Sequence, residues 1–99
     1  MLIMDAEILS YAVRILDSFE SLRKLLAERA ECHENEIVVY DDPLKIIIKR
    51  DRIDFYFDDV YHGSAGRSYV KLSDEIREEA RLWLQGLAML KFKRFSVRR

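Results

Sequence analysis

Threonine is absent from this 99-residue chain, and asparagine and glutamine occur once each, as Asn35 and Gln85. Many charges with few thermolabile amides is the bias reported for proteins of hyperthermophiles. The single cysteine, Cys32, excludes an intrachain disulfide framework. One proline and three glycines leave few places where the chain must turn. A formal net charge of -1 excludes a chain dominated by one sign. No apolar run reaches membrane-spanning length, since the longest, over 82–90, is broken by Gln85 and Gly86. Asp5 and Glu7 interrupt the short apolar start, which therefore does not read as a signal peptide.

What is present is a half-hydrophobic, 35% charged chain of a length that suits one domain, 1–99. The charge is unevenly spread. Residues 1–36 hold eight acids and four bases, 37–72 six of each, and 73–99 four acids and seven bases.

Residues 36–61 organise the rest. Ile46, Ile47, Ile48, Ile53, Phe55, Tyr56 and Phe57 are the β-branched and aromatic types that strands favour. With Arg50 and Asp51 as the centre of a tight turn, Ile48 faces Ile53, Ile47 faces Asp54, Ile46 faces Phe55 and Lys45 faces Tyr56. Alternation then gathers Ile46, Ile48, Ile53, Phe55 and Phe57 on one face. Lys45, Lys49, Asp54, Tyr56 and Asp58 gather on the other. A slip of one residue would mix the two sets, so the pattern specifies its own register. The Asp41-Asp42-Pro43 break ends the preceding strand, whose register stays open: either Ile37 and Val39, or Val38 and Tyr40, face the core.

Helical periodicity flanks this meander. Ile8, Ala12, Ile15, Phe19, Leu22 and Leu26 step by four and three, which predicts one long helix over 5–33. Ile76, Ala80, Trp83, Leu87 and Leu90 predict a second over 73–92, with Ser73 as N-cap. Its second half is apolar nearly all round, so more than one side must be buried. Between them, residues 62–68 read as a flexible glycine loop, followed by a short strand over 69–72 beside the third. The expected fold is α+β: a long N-terminal helix, a three- to four-stranded antiparallel meander and a C-terminal helix, with the helices mainly on one sheet face.

Candidate sites are few. Ser64, Gly66, Arg67 and Ser68 offer a possible anion loop, yet lack the lysine and spacing of a P-loop. Cys32 and His33, with Glu31, Glu34 and a distant His62, lack the paired clusters of a zinc site. Asp41, Asp42, Asp54, Asp58 and Asp59 read as a solvated face rather than hard-cation ligands. In the tail, Lys91, Lys93, Arg94, Arg98 and Arg99 interleave with Phe92 and Phe95, a pattern that suits phosphate contact and base stacking. Basic residues also suit a helix C-terminus. No catalytic, cofactor or metal signature emerges; a hydrolase built around His62 and Arg67 ranks last.

The segments SFESLRKLLAERAE, EIVVYDDPLKIIIKRDRIDFYFDD and DEIREEARLWLQGLAML resemble a family of small uncharacterised proteins of filamentous (lipothrixvirus) and rod-shaped (rudivirus) double-stranded DNA viruses of hyperthermophilic archaea. The resemblance spans most of the chain without a single anchoring motif. It implies a viral product in the host cytoplasm and assigns no activity or functional residue. Two functions follow as expectations. The first is a non-enzymatic, thermostable interaction protein, homodimeric through Trp83, Leu84, Leu87 and Leu90, with a viral or host protein as a further partner and no membrane insertion. The second is a nucleic-acid-binding accessory protein using the basic tail.

Overall fold

The computed structural model of the chain describes residues 3–89, with side chains from residue 5 onward. Two helices, α1 (Ile3–Asp17) and α2 (Phe19–Leu25), lead into six strands and a closing helix. The strands are β1 (Glu31–Cys32), β2 (Glu36–Asp41), β3 (Leu44–Lys49), β4 (Arg52–Phe57), β5 (Val60–Gly66) and β6 (Val70–Leu72); the helix is α3 (Arg77–Ala88). The strands form a single sheet in sequence order, each antiparallel to the next.

The β3–β4 hairpin has the register that alternation demands. Ile48 pairs with Ile53, Ile47 with Asp54, Ile46 with Phe55 and Lys45 with Tyr56, across a two-residue turn at Arg50-Asp51. The open question of the preceding hairpin is settled by its pairs: Ile37 lies opposite Ile48 and Val39 opposite Ile46. Ile37, Val39, Ile46, Ile48, Ile53, Phe55 and Ala65 therefore share one face, and all are buried.

Both longer helices cover that face. The stripe Ile8, Ala12, Ile15 and Leu16 from α1 and Ala80, Leu84 and Leu87 from α3, with Ile76 just before it, meet the strands in one core. α1 and α3 run side by side in the same direction: the Arg77 guanidinium pairs with Asp5 and the Arg81 guanidinium with Glu7 and Glu78. The Trp83 indole N–H donates to Asp41 Oδ2 at 2.9 Å, tying α3 to the end of β2.

Several expectations need correction. The first helix does not run unbroken over 5–33. It bends at Ser18, whose N–H is shared between the carbonyls of Arg14 and Ile15, and α2 ends at Leu25. After Leu26 only Ala30 continues the stripe and Arg29 is exposed, so little apolar surface is left to hold a further helical turn on the core. Cys32 instead enters the sheet opposite Ile37, and His33 lies in the β1–β2 turn rather than at a helix end. The sheet has six strands instead of three or four. The stretch read as a flexible loop is β5, and β6 pairs with β5, not with the third strand of the meander. Small residues there serve close approach. A Cβ on Gly63, which has φ +117, would lie 1.9 Å from the Lys71 carbonyl oxygen. Ser73 does not cap α3, which begins at Arg77; its hydroxyl bonds His62 Nδ1 at 2.7 Å. The expected extension of α3 to Phe92 lies outside the described residues.

Arg50, in the β3–β4 turn, fastens α2 to the sheet. Its guanidinium lies 4.5 Å from the Phe19 ring centroid, and it donates to Glu20 Oε2 at 2.6 Å, Asn35 Oδ1 at 2.7 Å and the Glu34 carbonyl at 2.8 Å. Hydrogen bonds from Arg50, then Arg23, hold the Glu20 carboxyl below its ordinary range. A depressed carboxyl adds stability that is present above its unfolded-state value and lost as pH falls through the folded one.

The register sets a sharp contrast among three adjacent isoleucines. Ile46→Asp and Ile48→Asp should each unfold the protein, because loss of a fully buried isoleucine alone costs about 2–5 kcal/mol and an unpaired charge adds to it. Ile47→Asp, on the opposite face, should cost much less in urea melts. Equal damage at positions 47 and 48 would refute the register.

Candidate functional site

With the helices on one face, none of the described elements covers the other. Strand pairing lays its side chains out in rows. One row crosses four strands as Tyr40, Lys45, Tyr56 and Tyr61. The next runs Glu31, Val38, Ile47, Asp54, Ser64 and Lys71 across all six. Beyond it, Arg52 lies opposite Gly66, where the Tyr69 ring closes over the space a Cβ would fill, 2.4 Å away.

The centre is polar yet closed. Asp54 and Ser64 are each only 4% exposed. The Ser64 hydroxyl donates to Asp54 Oδ1 at 2.6 Å and is itself bonded to the Tyr61 hydroxyl. Arg52 Nε donates to Asp54 Oδ1 at 3.1 Å, and Lys49 Nζ lies 3.5 Å from Oδ2. A carboxylate taken out of water demands such partners. Asp54 is thus the buried hub of the face, not the solvated residue that the sequence implied.

The tyrosine row differs in exposure along its length. Tyr40 and Tyr61 are about half exposed, at 47% and 54%. Tyr56 between them is less open: the Lys45 ammonium sits 5.1 Å from its ring centroid, and its ring packs against Tyr61 at 5.5 Å, tilted by 59°. The Tyr40 hydroxyl donates to Glu31 Oε1 at 3.0 Å, and this bond to an anion raises its pKa above the usual phenol range. Beyond the row, Asp58 and Asp59 form the β4–β5 turn with φ 52 and 67, both left-handed as a primed hairpin turn requires. Asp58 therefore belongs to a turn and not to the sheet face.

The other sequence candidates separate in space. Ser64 is buried against a carboxylate, Gly66 ends a strand and Arg67 pairs with Asp17 at 2.6 Å, so Ser64, Gly66, Arg67 and Ser68 do not form an anion loop. His62, the extra residue of a bulge in β5, contacts Ser73 and the edge of Phe57, away from Arg67. Cys32 donates weakly to the carbonyls of Arg23 and Leu26, and burial pushes its thiol up. Among the described residues no group of three or more His, Cys, Asp or Glu is placed to hold a metal ion. No described helix is long and apolar enough to cross a membrane. Trp83, Leu84 and Leu87, offered as dimer contacts, are buried inside the protomer at 7%, 0% and 1% exposure. The apolar surplus of α3 is absorbed between α1 and the sheet. Leu90 and the tail bases Lys91, Lys93, Arg94, Arg98 and Arg99 lie outside the described residues.

A family profile described as the Archaeoglobi AF1636 family protein matches residues 1–99. The chain belongs to the Archaeoglobi AF1636 family. A relative from Archaeoglobus fulgidus, named only as an uncharacterized protein, is 61% identical over 88 residues, covering 89% of this chain and 96% of its own length. No solved structure matches. Membership of this family overturns the viral resemblance and points to a cellular archaeal protein.

The hub can be tested through its partners. Removing Lys49 and Arg52 together, each to Met, should cost about 3 kcal/mol or more, because it strands a buried carboxylate. Asp54→Ala should cost less, about 1–2 kcal/mol, since the half-exposed cations left behind can hydrate. Urea melts of the two variants would show the reverse order if Asp54 served only to fill space.

Proposed function

We propose that this family member is a non-enzymatic nucleic-acid-binding protein whose working surface is the open face of the sheet. One observation carries the reading: Lys45, Lys49, Arg52 and Lys71 share with Tyr40, Tyr56 and Tyr61 a face that no described element covers. Cations neutralise phosphates and release counterions, while aromatic faces accept bases. The face has no net positive excess, since Asp54, the edge acids Glu31 and Glu36, and Asp42, Asp58 and Asp59 beside Tyr40 and Lys45 offset the four cations. The acids gather at β1, β2 and the turns at the Tyr40–Lys45 end, which leaves Lys49, Arg52 and Lys71 toward the rest of the face. Nothing on the face enters a groove as a recognition helix does, so sequence preference should be weak. The five tail bases would add phosphate contacts of their own.

The full chain should bind a labelled oligonucleotide at about 50 mM salt, with an affinity that falls as salt rises. For four phosphate contacts on a single strand, the log–log slope from the face would approach about −2.8, and nearer −2 because Lys49 and Arg52 are shared with Asp54. Lys71→Glu, on the open face, should weaken binding several-fold, whereas Lys24→Glu, exposed on α2, should not. Absence of binding at low salt, or equal effects of the two reversals, would overturn the reading.

A second reading, a homodimeric interaction protein, rests on a different surface. An apolar groove of about 280 Å³ lies between α1, α2 and the end of α3, lined in part by Ile15, Leu22, Leu25 and Leu87. Leu25 is 53% exposed at its rim and Met89, just beyond α3, is 42% exposed. Burying such residues in a two-fold contact is a common remedy for exposed apolar surface. Light scattering at micromolar protein should then give twice the 11.8 kDa chain mass, and Leu25→Arg should return it to the monomer value. A monomer in the unmodified protein ends this reading.

A further inference from the structure

We infer that the face selects single-stranded over double-stranded nucleic acid, with Tyr40 and Tyr61 as the two stacking rings and Lys45 between them as a phosphate contact. The inference rests on the nucleic-acid reading of the sheet face. It comes from how the tyrosine row is used internally.

Stacking needs a ring whose face is free. Tyr56 is only partly exposed, with the Lys45 ammonium over its ring and the Tyr61 ring tilted against it. Tyr40 and Tyr61 are the open members, and both are large side chains left about half exposed. Each is also held in place at its far end. The Tyr40 hydroxyl is bonded to Glu31, and the Tyr61 hydroxyl is bonded to Ser64, which is bonded in turn to buried Asp54. A ring anchored through its hydroxyl loses little rotamer freedom when a base lands on it, so less of the stacking energy is spent on ordering. The buried Asp54–Ser64 pair thus positions a ring without touching the ligand.

Tyr40 lies on β2 and Tyr61 on β5, three strand spacings apart, or about 14 Å. A strand crossing the sheet at right angles to the β-strands can place one unpaired base on each ring, with Lys45 under the backbone between. Its phosphates then meet Lys45 at the rings and Lys49, Arg52 and Lys71 beyond, while Asp42, Asp58 and Asp59 line the cleft at the strand ends beside Tyr40 and Lys45. A duplex keeps its bases stacked on one another and offers this face only phosphates, and a flat sheet does not enter either groove. The expected ligand is therefore an unpaired stretch of about four nucleotides, at the low end for sheet-based single-strand binders.

The test compares a labelled oligo-dT 12-mer with a 12-base-pair duplex, using the full chain at about 50 mM salt. The single strand should bind at least tenfold more tightly. Tyr61→Ala and Tyr40→Ala should each weaken single-strand binding by roughly 5- to 150-fold, the range of one base–aromatic stack, and leave duplex binding unchanged. Tyr61→Phe keeps the ring and should retain most of the affinity, which separates stacking from loss of fold. Equal affinity for both forms, with no effect of either alanine variant, would overturn the inference while leaving a phosphate-binding face intact. No binding of either form would overturn both, and a mass of two chains with no bound oligonucleotide would assign the surface to a second copy.

Discussion

The two-residue turn at Arg50-Asp51 decides which side of every strand is inside. Its register places Ile46, Ile48, Ile53 and Phe55 together at zero exposure, and the neighbouring strands inherit the choice through their own pairings. A slip of one residue would turn one strand over against the other, carrying either Lys45 and Lys49 or Asp54 into the core and exposing that strand's apolar set. Desolvating such charges without prearranged partners would cost far more than a hairpin turn contributes. The weak turn signal of Arg-Asp is thus outweighed by the faces on either side of it. Arg50 then links the turn to Phe19, Glu20, Glu34 and Asn35, so the residue that closes the hairpin also seats α2.

One layer of helices covers one face of a sheet, and the opposite face must manage without them. Here it does so with long amphipathic side chains and tyrosines whose bodies lie over apolar ground while their polar ends stay wet. Val38, on this face, is only 5% exposed although no described helix lies above it. The same covering closes over Asp54, which would be costly to bury were it not met by Ser64, Arg52 and Lys49. The polar centre therefore acts as a framework. It fixes Tyr61 through Ser64, and it holds Lys49 and Arg52 against Asp54 on the same face.

Legibility in the sequence followed the strength of alternation. The β3–β4 pairing is readable residue by residue because one register gathers Ile46, Ile48, Ile53 and Phe55 on one face and Lys45, Lys49, Asp54 and Tyr56 on the other, with Ile47 the exception. The stripes of α1 and α3 were readable for the same reason at period 3.6. What failed was written in small residues. His62, Gly63, Ser64, Ala65 and Gly66 carry no periodic signal, and glycine and serine are the usual marks of a loop. Yet Gly63 lies where a Cβ would strike the Lys71 carbonyl, and Ser64 is short because it sits under Tyr61 and against Asp54. With β5 read as a loop, Tyr61 and Lys71 were never placed beside Tyr56 and Asp54. The nucleic-acid alternative then rests on the basic tail alone. The helix break at Ser18 was equally hidden, since no glycine or proline marks it.

Whole-chain charge is a poor guide to what a sheet face can bind. At -1 the chain carries no long-range attraction for a polyanion, and steering over more than a Debye length, about 10 Å in 0.1 M salt, would be weak. The acids, however, are not spread evenly. Glu20 is tied up by Arg50 and Arg23, Asp17 by Arg67, and Glu78 by Arg81, so much of the negative charge on the helical side is internally paired. Asp58 and Asp59 are confined to a turn at one end of the face. Lys71, by contrast, stands exposed on the last strand, and Lys45 is engaged with a ring face rather than a carboxylate. A cation over an aromatic ring can exchange that contact for a phosphate without exposing an unpaired acid, whereas Lys49 or Arg52 would have to leave Asp54 partly uncompensated. Lys45 and Lys71 are therefore the cations free to respond to a ligand, and the two around Asp54 chiefly hold the surface in shape.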